Sequence, residues 1–257
     1  MPDFRVYVLP PPPDAAELSL PAPETHHLVT VNRARPGDPV IAFDGEGTEW
    51  TCRLERVEQK KHAVLRILER TTRAPLPCVL RLAQALPKGS TMDDIIRQAT
   101  ELGVAEIIPL ATSRSEVRLD EERAAKKSEK WRIAAIEAAK QCGNPWVPAL
   151  APVQSLDFFL ATCATKTEGT DELRLVASLH SGARALRAVL EAWRSAHDGH
   201  PPSCAVWLIG PEGDLTAEEV AKSLVAGFVP VTLGPLVLRC DTAAAFALSV
   251  LRHETEG

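Results

Sequence analysis

The spacing of apolar and polar positions divides the chain in two. Up to about residue 70 the apolar runs are short and extended in character. Phe4–Leu9 reads as a strand. The four prolines at 10–13 end it, because proline donates no ladder hydrogen bond. Val40–Phe43 leads into Asp44-Gly45, a strong turn signal, and two β-like runs follow near 49–57 and 62–69. Residues 71–78 carry two prolines and no periodicity, which marks a boundary. Beyond it strand-like and helix-like segments alternate. Val79–Leu86 is a strand, and Ser90-Thr91 can cap a helix reaching Leu102, with Ile95, Ile96, Ala99 and Leu102 on one face and Gly103 as its stop. Strands follow at Glu106–Leu110, Arg174–Leu179, Ala205–Ile209 and Val229–Leu233. Helices are expected at 120–142, around Leu186–Trp193, at 217–226 and at 243–254, with an exposed loop at 164–172. Such alternation predicts an α/β domain with a largely parallel sheet.

Composition changes this picture little. The 257 residues suffice for two domains, and 45% apolar with 25% charged residues is ordinary for a globular protein. No apolar run approaches the roughly 20 residues of a membrane helix, and Met1-Pro2-Asp3-Phe4 opens no secretory leader. A cytoplasmic protein without a membrane partner is expected. The six cysteines are scattered singly, without metal-ligand or redox spacing, and adjacent His26 and His27 point apart on any regular element, so no metal site is expected. The net charge of −5 argues against a generic nucleic-acid binder. Any RNA contact must use local patches. Arg33 with Arg35 is one. The cluster Lys126, Lys127, Lys130 and Arg132 is interleaved with acids and reads better as a solvated helix face.

Two segments carry candidate chemistry. Leu208-Ile209-Gly210-Pro211-Glu212-Gly213-Asp214-Leu215-Thr216 takes an apolar strand into a Gly-Pro loop, and Thr216 with Glu219 forms a capping-box pattern that opens a helix. Glycines at the carboxyl end of a strand in an α/β sheet let a backbone approach a ligand closely. On spacing alone this is equally a tight turn with no ligand. Leu233-Gly234-Pro235 through Leu238-Arg239-Cys240-Asp241-Thr242-Ala243 repeats the pattern, with Asp241 or Thr242 as the helix cap. The two loops could wall one pocket, and Arg239 with Asp241 could equally be a cap and a surface ion pair. No Walker loop, dinucleotide fingerprint or nucleophile elbow occurs.

Six ordered blocks resemble the bacterial family that methylates N3 of a uridine in 16S ribosomal RNA of the small subunit, within the knotted SPOUT methyltransferases. They are His26-His27-Leu28-Val29 through Asp38 with Phe43-Asp44-Gly45; Lys88-Gly89-x-x-Met92-Asp93 with Ala99–Val104; Arg114-Ser115; Trp131–Gly143 with Val147-Pro148; Leu179-His180 with Ile209–Gly213; and Leu233–Ala243. The resemblance implies a PUA-like β-barrel RNA-binding domain at 1–73 and a SPOUT α/β-knot domain at 74–257, its C-terminal stretch threading a trefoil knot. It implies S-adenosyl-L-methionine as cofactor and a homodimer. It places the cofactor against Leu179, His180, Ile209, Gly210, Pro211, Glu212, Gly213, Leu233, Gly234, Leu238, Arg239 and Thr242. Catalysis falls to Arg239 and Asp241, and RNA contacts to Arg33, Arg35, Lys88 and Arg114. The family usually has glycine, arginine and glutamate where Asp214, Leu236 and Asp241 stand, and arginine where Thr30 stands. Those departures motivate the alternative of a catalytically weak or inactive ribosome-binding module.

Overall fold

A computed structural model describes residues 4–58, 62–115, 121–165, 172–180 and 182–256. Asp120, at the expected start of the long helix, and most of the expected 164–172 loop lie outside these residues. Contacts divide the chain into two compact units, Met1–Pro75 with Ile136–Val147, and Leu76–Ala135 with Pro148–Gly257. The first unit thus includes a later segment of the chain.

In the first unit, strands β1 (Phe4–Tyr7), β2 (Glu17–Ser19), β3 (Pro39–Phe43), β4 (Thr48–Glu58) and β5 (His62–Thr72) form one sheet in the order β1-β3-β4-β5-β2. The β1–β3 pair is parallel and the others are antiparallel. Period-two alternation explains β4: Trp50, Cys52 and Leu54 are buried while Arg53 and Glu55 are exposed. These join Val6, Leu18, Leu28, Val40 and Leu65 in the core. The Asp44-Gly45 turn forms as expected: Asp44 Oδ1 accepts the N–H groups of Glu46 and Thr48. Gly47 follows at φ 92°, and a Cβ there would collide with the Trp146 indole. A short helix α1 (Ala22–His26) runs into a π-helical turn at His27–Val31. Flanking prolines and a length of barely one turn hid it from periodicity. The end of helix α3 (Glu121–Cys142) belongs to this unit, and buried Lys140 is held between Glu24 at 2.6 Å and Glu137 at 2.8 Å.

The second unit holds β6 (Val79–Ala85), β7 (Glu106–Ala111), β8 (Ala149–Leu150), β9 (Gln154–Ser155), β10 (Glu172–Ala177), β11 (Arg184–Ala185), β12 (Cys204–Ile209) and β13 (Val229–Thr232). Among the described residues they form a sheet in the order β11-β13-β10-β12-β6-β7-β8, with β9 also on β7 and every pairing parallel. Helices α2 (Thr91–Glu101), α4 (Leu156–Thr165), α5 (Leu186–Ala196), α6 (Ala217–Val225) and α7 (Cys240–Glu256) accompany it. The expected α/β alternation is present. The central strands are near-continuously apolar because both faces are buried. Val176, Val206, Leu208 and Ile108 meet Phe159, Leu160 and Phe228 in one core cluster. After β13 the chain returns past β10, and α7 packs against α2, β12 and β6. Arg252 of α7 donates to the carbonyls of Leu102 and Gly103 at the end of α2 and to that of Cys78 just before β6.

Four local expectations need correction. The strand expected at Arg174–Leu179 is Glu172–Ala177, so Leu179 lies beyond it and is exposed. The last helix starts at Cys240, and the Ala243 amide already donates to the Arg239 carbonyl at 2.7 Å. Asp241 and Thr242 thus sit in its first turn instead of capping it. Ser90 precedes α2 but makes no side-chain cap bond. The two- and three-residue strands carry too few positions for a period to register, whereas α4 was missed although its buried Leu156, Phe159, Leu160 and Cys163 follow a helical spacing.

Candidate functional site

Three neighbouring strands end at the same place. The carboxyl ends of β10, β12 and β13 surround a cavity of about 300 Å³. That is the end of a parallel sheet where ligands bind in open α/β folds. Its walls are Ala177, Ser178 and Leu179 after β10; Ile209, Gly210, Pro211, Glu212 and Asp214 after β12; and Leu233, Leu236–Cys240 and Ala243 after β13.

The β12 loop is held by a close set of bonds. Asp214 takes φ 59°, a left-handed conformation that asparagine and aspartate tolerate better than most residues. Its amide donates to the Pro211 carbonyl at 2.9 Å, and its Oδ1 accepts the Leu215 N–H at 2.7 Å. Aspartate thus holds the turn without a glycine at this position. A Cβ on Gly210 would lie 3.2 Å from the Leu215 nitrogen, so a side chain there would have to push the loop backbone by a few tenths of an ångström. Buried Gln84, at the end of β6, donates Nε2 to the carbonyls of Ala85 at 2.9 Å and Gly210 at 3.4 Å. The capping box forms as expected: Thr216 Oγ1 accepts the Glu219 N–H, and Glu219 Oε2 accepts the Thr216 N–H. Glu219 Oε1 also accepts the Ser113 N–H at 2.8 Å. Burial acts to raise the Glu219 carboxyl, but the donors on Ser113 and Thr216 outweigh it and hold it below the usual carboxylate value.

Of the residues singled out from sequence, Leu179, Ile209, Gly210, Pro211, Glu212, Leu233, Leu238 and Arg239 come together on the cavity wall. His180, Gly213, Gly234, Asp241 and Thr242 do not line it. His180 is exposed beside Leu179, and its amide donates to Ser178 Oγ. Gly213 offers its carbonyl to Arg114 Nη1 at 2.7 Å. Gly234, at φ 118°, exchanges bonds with Thr232 Oγ1. Asp241 is half-buried in the first turn of α7, and Thr242 is exposed there. Lys88 is exposed on the β6–α2 loop, and its amide donates to Glu212 Oε1 at 2.9 Å. In the other unit Arg33 and Arg35 are both exposed after the π-helical turn. Arg33 is left-handed at φ 59°, and the Arg35 amide donates to Asp38.

Sequence reasoning missed Gln84, Ser178 and Cys240. For Gln84 a signal existed, a lone amide inside the apolar run Val79–Leu86. Cys240 lines the wall, where burial and then the Glu212 carboxylate push its thiol up to about 11, so it is neutral at physiological pH.

This architecture matches known proteins along nearly its whole length. A family model described as an RNA methyltransferase domain matches residues 74–252, and one described as an RNA methyltransferase PUA domain matches residues 20–68. A ribosomal RNA small subunit methyltransferase E from Bacillus subtilis is 32% identical over 95% of this chain and 92% of its own. The chain belongs to the small-subunit ribosomal RNA methyltransferase E family. A family member from Neisseria gonorrhoeae, solved bound to S-adenosyl methionine, superposes with a TM-score of 0.84 at 29% identity, covering 98% of each chain. A Legionella pneumophila protein solved with the same cofactor gives 0.86 at 32% identity, covering 99% of this chain and 98% of its own. Family membership accounts for the mixed α/β fold with its parallel sheet and for the PUA-type first unit. Among the described residues, no helix is long and apolar enough to cross a membrane and no group of three or more ligating side chains could hold a metal.

Proposed function

We propose that this protein methylates N3 of a uridine in 16S ribosomal RNA of the small subunit, using S-adenosyl-L-methionine bound in the cavity at the ends of β10, β12 and β13. The observation that carries the reading is the wall chemistry. Apolar Leu179, Ile209, Leu233 and Leu238 suit an adenine, and the two glycine-containing loops supply backbone groups to its edge. The ionisable groups on the wall are Glu212, Asp214, Arg239 and the neutral thiol of Cys240. Two carboxylates and one guanidinium match a ligand carrying an ammonium, a sulfonium and one carboxylate. A nucleotide with several phosphates would meet net repulsion there.

When bound, the cofactor supplies a methyl group on an electrophilic sulfonium. The chain's residues must hold uridine and manage its N3 proton. Arg239 is on the wall, and its guanidinium is assigned to a pyrimidine oxygen or a flanking phosphate. Asp241 is assigned to accept the proton. It lies two residues further on but not on the wall, so Arg239 is the stronger assignment of the two. Positioning supplies much of the remaining rate. Arg33 and Arg35 on the first unit, and Lys88 and Arg114 on the second, are assigned to RNA backbone, which makes binding salt-dependent.

The same reading takes residues 1–73 as a PUA-like β-barrel and 74–257 as a SPOUT α/β-knot, supported by the return of the chain past β10 into α7. A homodimer is supported by large apolar side chains left exposed at the cavity rim, Leu179, Leu236 and Val237, the last two 72% and 79% exposed. A ribosomal substrate places the enzyme in the cytoplasm. The test is nucleoside mapping of 16S ribosomal RNA from a deletion strain complemented with wild type or Arg239→Ala. Wild type restores one 3-methyluridine. At saturating cofactor the variant still loses about two orders of magnitude or more in rate. An unrestored methyl group with wild type, or full activity in Arg239→Ala, overturns the reading or the role respectively.

A further inference from the structure

The loops bearing two of the cations assigned to RNA are fastened to the cofactor loop by that loop's own polar groups. Glu212 accepts the Lys88 backbone N–H at 2.9 Å, and the Gly213 carbonyl accepts Arg114 Nη1 at 2.7 Å. Gly213 also packs so closely that a Cβ there would lie 3.2 Å from Arg114 Cβ. One residue earlier in the 112–115 turn, the Ser113 N–H is held by Glu219 at the start of α6. Glu212 meanwhile forms part of the cavity wall, and its charge is felt by Cys240. A single carboxylate thus faces the cofactor cavity and holds a cationic loop outside it. A long exposed side chain loses rotamer freedom when it is held this way. A ligand that orders residues 210–214 therefore removes part of the ordering cost for the Lys88 and Arg114 loops.

We propose that Glu212 is a positioning residue that couples cofactor binding to RNA binding. Its bond to the Lys88 amide, with the Gly213–Arg114 bond beside it, makes the cofactor loop and the two cationic loops order together, so each ligand tightens the other. The inference rests on the cofactor and RNA assignments above. Such coupling is reciprocal by thermodynamic necessity.

The experiment uses the full chain, S-adenosylhomocysteine as a non-reacting cofactor probe and an unmethylated 16S ribosomal RNA transcript. Calorimetry and filter binding give each affinity with and without the other ligand. In wild type each tightens the other by the same factor, on the order of ten-fold. Glu212→Ala binds S-adenosylhomocysteine more weakly, because Glu212 also lines the cavity, but the coupling factor is a ratio of affinities measured within one variant, and it falls towards one. Glu212→Gln, whose amide oxygen can still accept the Lys88 N–H, retains most of it. Three results overturn the inference: no mutual effect in wild type, an undiminished factor in Glu212→Ala, or a glutamine variant as uncoupled as the alanine one. Wild type that fails to bind S-adenosylhomocysteine at all overturns the proposed function itself.

Discussion

Asp214 shows how one residue's backbone preference shapes the site. At φ 59° a β-branched side chain would crowd the backbone, whereas aspartate is tolerated and ties Oδ1 to the Leu215 amide. Asp214→Val should destabilise by about 1–2 kcal/mol from the left-handed strain. It should also weaken cofactor binding, because the turn positions Gly210 and Glu212. A thermal melt and a cofactor titration check both, and an unchanged melt would mean the turn relaxes freely. Cys240 teaches a related lesson. Burial and the Glu212 charge keep its thiol protonated, so a nucleophile on the wall of a proposed methyl-donor site stays quiet.

At the scale of elements, α6 is anchored at its first turn more firmly than its length suggests. Thr216 and Glu219 cap each other, and Glu219 reaches on to Ser113. Removing the cap in Thr216→Ala should cost about 1 kcal/mol. Glu219 also gives a pH signature. Its folded pKa is depressed, so its contribution is present above the unfolded value near 4.5 and is lost as pH falls through the lower folded value. Glu172 has a depressed carboxyl too: burial acts to raise it, and Arg174 and Arg81 outweigh burial. Stability should therefore fall below about pH 4.5 in denaturant titrations, and Glu219→Gln should flatten that slope. A slope unchanged by the substitution would remove Glu219 from the account. The capping box was legible because a cap needs only two residues three apart. The earlier start of α7 was not, since its neighbours fix that end and its own sequence does not.

Across the molecule, the two ends of the parallel sheet do different work. At the amino ends Arg81 bridges Glu106 at 2.6 Å and Glu172 at 3.1 Å, and Glu172 also holds Arg174 at 2.8 Å, linking β7, β6 and β10. At the carboxyl ends lies the cavity. Arg81→Ala leaves the buried Glu172 carboxylate with Arg174 alone and half-buried Glu106 without the Arg81 guanidinium, and should cost about 1–3 kcal/mol, read as a lowered urea midpoint, with the cavity intact in surviving folded protein. A loss below 1 kcal/mol would mean that water replaces the guanidinium. The sequence by itself determined the α/β alternation, the β-rich first stretch, both Gly-Pro loops and the capping box, because each is written in local period or turn chemistry. Only the tertiary structure decided that β10, β12 and β13 end side by side, since strand order depends on which apolar faces pack together. It likewise decided that Gln84 braces Gly210 and that Glu212 meets the Lys88 amide. Those partners lie 126 and 124 residues apart along the chain, a separation at which no sequence period can register a contact.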